Sequence, residues 1–123
     1  MSLTAKQEYL RRQVEQGVLD FSAHASVDNT GAPGILIRTH TAGCEVRVHD
    51  VIIYNAHAGT AVITLYNEDG TVMLVIGIGN GESAVLTFKG SIPWGQHDIY
   101  ARTNQVTNAE VTVAGREIPP TWA

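Results

Sequence analysis

The chain has 123 residues, with 12 acidic against 8 basic side chains and a formal net charge of −4. That length suits one domain, and the charge leaves no basic field to condense on nucleic acid or anionic lipid. Apolar residues make up 44%, which excludes wholesale disorder, while charged residues make up only 16% against the ~25% usual for globular domains.

Residues 3–21 carry the one helical period. Leu10, Val14, Val18 and Phe21 recur at spacings of four, four and three and would line one face of a helix. Thr4 followed by Gln7 fits a capping box, and Gly17 weakens the last turn. The pattern predicts an N-terminal α-helix. Residues 22–34 are rich in Ser, Ala, Asp, Asn, Gly and Pro without a sustained period, and predict a connector. Residues 1–34 are therefore expected to form a helix and connector arm.

From Ile35 the period changes to two. Ile35 to Arg38 starts a first strand. Glu45 to Tyr54 alternates, placing Val46, Val48, Ile52 and Tyr54 on one face and Glu45, Arg47, His49, Val51 and Ile53 on the other. Val62 to Tyr66 follows, then the turn Asn67-Glu68-Asp69-Gly70, in which Gly70 supplies a positive φ. Thr71 to Ile78 is a nearly all-apolar strand. Asn80-Gly81 signals a second hairpin before Ser83 to Phe88. Asp98 to Thr103 and Ala109 to Ala114 complete a set of seven strands. With no helical crossover between them, the expectation is an antiparallel β-sandwich or jelly-roll-like domain over residues 35–118, with 119–123 an extended tail behind Pro119-Pro120.

Several residue groups invite a chemical reading, and each has a plainer one. Gly77-Ile78-Gly79-Asn80-Gly81 has glycines but not the spacing of a dinucleotide loop, and a strand follows where a helix must hold the pyrophosphate. The five histidines, His24, His40, His49, His57 and His97, show no close ligand spacing, so scattered surface positions account for them. Cys44 with His40 or His49 could be drawn as a thiolate–imidazole pair, but Cys44 sits beside Gly43 in the turn before a strand, with no oxyanion-hole loop, and a half-buried or exposed free thiol is expected. His49-Asp50 and His97-Asp98 are neighbours that a strand would turn to opposite faces. No enzyme activity, metal or cofactor is expected.

Tyr54 and Tyr66 fall on strands, as core or cross-strand pairs. Trp94, in the loop Ile92-Pro93-Trp94-Gly95, and Trp122, in the tail, are candidate anchors for a partner. The low charge points the same way, because interface cores are depleted of charge. A β-domain rich in Thr, Asn and Gly has the same composition.

The helix or arm, the connector and the sandwich resemble small structural proteins of tailed-phage virions. Val46 to Asn55 and the hairpin Val62 to Leu74 are similar to such sandwich domains. The resemblance spans residues 35–118 and brings no diagnostic motif. It implies a capsid decoration (cement) protein or a head–tail or tail accessory subunit, made in the host cytoplasm, placed in the virion and commonly trimeric. The implied partners are other copies of itself and neighbouring virion proteins such as the major capsid or tail protein. Leu10, Val14, Val18, Phe21, Trp94 and Trp122 are the expected partner-binding residues, with neither nucleic acid nor membrane as a partner. The rival is a carbohydrate- or receptor-binding β-sandwich module, which requires coplanar exposed aromatics, with Trp94 the ready candidate.

Overall fold

A computed structural model describes residues 19–119 as eight strands. They are β1 (Leu19–Val27), β2 (Ile35–Arg38), β3 (Glu45–Asn55), β4 (Ala61–Tyr66), β5 (Val72–Ile78), β6 (Ser83–Gly95), β7 (Ile99–Thr103) and β8 (Ala109–Ile118). All pairings are antiparallel, in two four-stranded sheets ordered β1-β8-β3-β6 and β2-β7-β4-β5. The pairs β1–β8, β2–β7, β3–β6 and β4–β5 are those of one long hairpin folded on itself and rolled into two sheets, which is the jelly-roll arrangement. Ile63, Leu65, Ile99, Val51, Ile53, Val111 and Val113 meet between the sheets with no exposed surface.

The expected helix does not extend to Phe21. Leu10, Val14 and Val18 lie outside the described residues, but Phe21 is on a strand that pairs residue for residue with β8, from Leu19↔Glu117 to Val27↔Ala109. Phe21 and Val27 point into the core, while Ser22, His24 and Ser26 point out. That segment alternates with period two, and small residues, Ala23 and Ala25, occupy its inward positions, so the local apolar signal is weak. Pairing with β8 outweighs the three-residue match between Val18 and Phe21. Much of the expected connector is thus an eighth strand, and the sandwich begins at Leu19 rather than Ile35.

Strand β3 departs from simple alternation. Val46 and Val48 face the core, and so do Val51, Ile53 and Asn55, while Ile52 and Tyr54 are outside, so the single face expected for Val46, Val48, Ile52 and Tyr54 is split. The cause is a bulge at His49. Against β8, Val48 pairs with Gly115 and Asp50 with Ala114, so one residue of β3 has no counterpart and the parity flips. Gly115 is required beside it, because a Cβ there would lie 2.0 Å from the Arg47 carbonyl oxygen and 3.0 Å from Phe21 Cζ.

The Asn67–Gly70 turn joins β4 to β5 as expected, with Gly70 at φ 81° and its N–H donating to the Asn67 carbonyl at 3.1 Å. The Asn80-Gly81 turn is no hairpin between paired strands. It carries the chain from β5 in one sheet to β6 in the other, with Glu82 N–H donating to Gly79 O at 3.2 Å. Buried Asn55 holds this crossing, since its amide Nδ2 donates to the carbonyls of Gly59 (2.9 Å), Ile78 (3.1 Å) and Gly79 (2.9 Å).

Candidate functional site

Three loops meet at the end of the sandwich where the described chain begins and ends, since Leu19 pairs with Glu117 and Ile118 with Glu45. They are residues 39–44 between β2 and β3, 67–71 between β4 and β5, and 96–98 between β6 and β7. Their polar side chains bond across the gaps. Asp98 Oδ1 accepts from the His40 backbone N–H at 2.9 Å and also binds His40 Nδ1, so the carboxylate selects Nδ1 as the protonated nitrogen. Glu68 binds His97 Nδ1 at 2.8 Å through Oε1 and accepts from Asp98 N–H at 2.9 Å through Oε2. Burial raises the Glu68 carboxyl, but the bonds from His97 and the backbone outweigh it and hold it below its ordinary value.

Beside this group, Glu117 is 1% exposed at the end of β8. It accepts from Thr41 N–H at 3.1 Å and Thr41 Oγ1 at 2.6 Å, and from Arg38 Nε at 3.3 Å. Burial works against its charge, but the Thr41 bonds and then Arg38 prevail and its carboxyl lies below the ordinary value. Arg38 also stacks over the Phe21 ring, 4.3 Å from its centroid.

Glu68, Asp69 and His97 offer ligand atoms within 4.8 Å of one another. A carboxylate–imidazole set suits a borderline divalent cation. Here, however, Glu68 already uses both oxygens on His97 and on the Asp98 amide, so the group acts as a clasp between two loops. His97 and Asp98 lie in a loop, not on a strand, and each bonds a residue distant in sequence, which is why nearest-neighbour reasoning missed both partners.

The expected anchors are placed differently. Trp94 is 1% exposed in the core, with Nε1 donating to the Asp98 carbonyl at 2.9 Å. Its loop is in fact the last part of β6, which turns inward after Gly90 and Ser91, both at positive φ. Phe21 is likewise a core residue. Trp122 lies outside the described residues. Cys44 is buried, where a half-buried or exposed thiol was expected.

Apart from Val106, in the β7–β8 loop, the exposed large apolar side chains among the described residues lie on strands, most of them on the outward sheet faces. On the β2-β7-β4-β5 sheet, Leu36, Tyr100, Tyr66 and Val72 form one row across all four strands, with Val75 in the next row. Tyr66 is covered by its neighbours, whereas Val72 is 54% and Val75 57% exposed. On the other sheet Ile52 pairs with Val85, which is 68% exposed, and Tyr54 lies beside them. The β1–β8 half of that face is polar: His24 bonds Thr112 at 2.9 Å and Glu110 at 2.8 Å, and Ser26 bonds Glu110 at 2.6 Å. Period-two alternation could have found this surface once the bulge at His49 was known.

No helix among the described residues is long and apolar enough to cross a membrane. No protein-family model matches the chain, and no curated protein matches it.

Proposed function

We propose that this chain is a non-enzymatic structural subunit of a tailed-phage virion, which associates with copies of itself and stabilises the assembly by packing on neighbouring capsid or tail proteins. The observation that carries the reading is the pair of outward sheet faces, on which Val85, Val75, Val72, Leu36, Ile52 and Tyr54 stand exposed in a chain with only 16% charged residues. Clustered exposed apolar side chains mark interaction surfaces, and scarcity of charge is the compositional signal of an interface core. The jelly roll agrees with the reading, because viral capsid domains are among those built this way, although lectin domains share the architecture and a fold alone does not assign a function. The carbohydrate-binding alternative has lost the aromatic it relied on, since Trp94 is in the core.

The test combines solution mass with co-assembly. The purified full chain is expected to exceed monomer mass at micromolar concentration and to co-sediment with shells or tails assembled from the capsid and tail proteins encoded in the same genome. Monomer mass at high micromolar concentration together with no co-sedimentation overturns the reading.

A further inference from the structure

We infer that the free edge of β5 is a self-association edge, on which β5 of a second copy pairs antiparallel across a two-fold axis and joins the two β2-β7-β4-β5 sheets into one eight-stranded sheet. The inference rests on the self-association proposed above, and replaces the three-fold assembly implied by the resemblance with a two-fold one.

A jelly roll has four sheet edges, and an exposed edge offers a row of backbone N–H and C=O groups to any other strand. Proteins that stay monomeric blunt such edges with charge, proline, bulges or short length. Three of the four are blunted here. β1 carries Asp20 and His24. β2 has four residues, with a register shift between Leu36 and Arg38. β6 carries Lys89 and Pro93, and is bent by positive φ at Gly90 and Ser91. The fourth, β5, reads Val-Met-Leu-Val-Ile-Gly-Ile, with neither charge nor proline. Its one irregularity is at its start, where Met73 lies between the Tyr66↔Val72 and Leu65↔Leu74 pairs, so Leu74 to Ile78 pairs regularly with β4. Among the described residues the opposite edge of that run has no partner.

The apolar side chains beside this edge are open to a further strand. β5 and β6 are the adjoining edges of the two sheets there. Leu74 and Ile76 of β5, and Leu86 and Phe88 of β6, pack against the core yet remain only partly buried. On the β1–β2 side Phe21 and Val27 are buried, while Ala25, Ile35 and Ile37 are likewise partly buried. A strand laid along β5 would satisfy the free backbone groups, cover this open seam and extend the outward row that ends at Val72 and Val75. The occupant is a second β5 because the strand carries no charge: two copies related by a two-fold axis bring no like charges together along its length, whereas the same pairing by β6 centres on Lys89 and opposes it to its own copy.

The test is light scattering on the full chain and two variants over a wide concentration range, with hydrogen exchange of the β5 amides. Val75 is exposed and points away from the core, so Val75→Lys leaves the fold intact and adds an edge charge that a second copy must oppose. Val85→Lys, at the most exposed apolar position of the other sheet's face, is the control. The expected result is a two-chain mass for the wild type and Val85→Lys, at least tenfold weaker association for Val75→Lys at unchanged melting temperature, and alternate β5 amides protected only where the dimer forms. A trimer, or any oligomer insensitive to Val75→Lys, overturns the β5 pairing while leaving self-association standing. Equal weakening by both variants overturns it too. A monomer with β5 amides protected at every concentration means that the chain covers its own edge, and a monomer with exchanging amides removes self-association itself. Should Val75→Lys fail to fold, the concentration dependence of wild-type amide protection decides alone.

Discussion

Glu117, on the last strand, accepts both the backbone N–H and the hydroxyl of Thr41, at 3.1 and 2.6 Å, and so fastens the β2–β3 loop to the far end of the chain. The two residues are 76 positions apart, and the carboxylate is shielded from water where they meet. Charge-assisted hydrogen bonds at a buried site are among the stronger polar contributions to stability.

The pH dependence follows from that site. The Glu117 carboxyl lies below its ordinary value of 4.5 in the folded chain, and the Glu68 carboxyl is displaced the same way. A group depressed on folding contributes stability that is complete above its unfolded value and is lost as pH falls through the folded one. Melting temperature is therefore expected to hold near neutrality and to decline below about pH 4.5. Glu117→Gln should cost about 1.5–3 kcal/mol at pH 7, with the gap from wild type narrowing as the solution is acidified. Thermal melts of both proteins from pH 7 to 3 check this, and a constant gap would refute it.

Gly115 is expected to be intolerant of a side chain. Its Cβ would lie 2.0 Å from the Arg47 carbonyl oxygen, which is backbone and cannot swing aside. Gly115→Ala should destabilise the sandwich by at least about 1–3 kcal/mol, the usual range for overpacking. Gly70→Ala gives a useful contrast: there the cost arises from φ 81° alone, because a Cβ has open space around it. Denaturant unfolding of the two variants separates a steric cost from a conformational one.

Residues 19–27 are expected to be indispensable. A chain beginning at Ala32 lacks β1, leaves the edge of β8 bare and removes Phe21 and Val27 from the core, each contributing about 1.5–3 kcal/mol by burial. It should show no cooperative melt, whereas a chain beginning at Leu19 keeps all eight strands and should retain one. Circular dichroism of the two truncations is the measurement.

Trp94 should behave as a core residue and not as a ligand anchor. Trp94→Ala is expected to cost about 3–5 kcal/mol, the range for removing a large buried aromatic. Trp94→Phe should cost less, through the lost Nε1 bond to the Asp98 carbonyl. Partner binding by folded Trp94→Phe should equal that of wild type. A binding defect at unchanged stability would show that the ring is reached from outside.

Local pattern was enough to read residues 35–118 as strands and turns and to place the starts of seven strands within a residue of where they lie. It sufficed because a half-buried strand must alternate and a tight turn must have residues that tolerate its dihedrals, and both signals are local. It determined the Asn67–Gly70 turn for the same reason, since Gly70 meets a local need for positive φ. The buried face of β3 was set by its neighbours, because the His49 bulge arises where β3 must match their register, and nothing in Val48-His49-Asp50 announces a skipped residue. Phe21 became a strand residue for the same kind of reason, since pairing with β8, some ninety positions away, supplies the hydrogen bonds that a local helix pattern would otherwise have used. The partners of His40, His97 and Glu117 were illegible for the same reason. Each bonds across loops that the rolled hairpin alone brings together, and contacts set by topology leave no spacing in the chain.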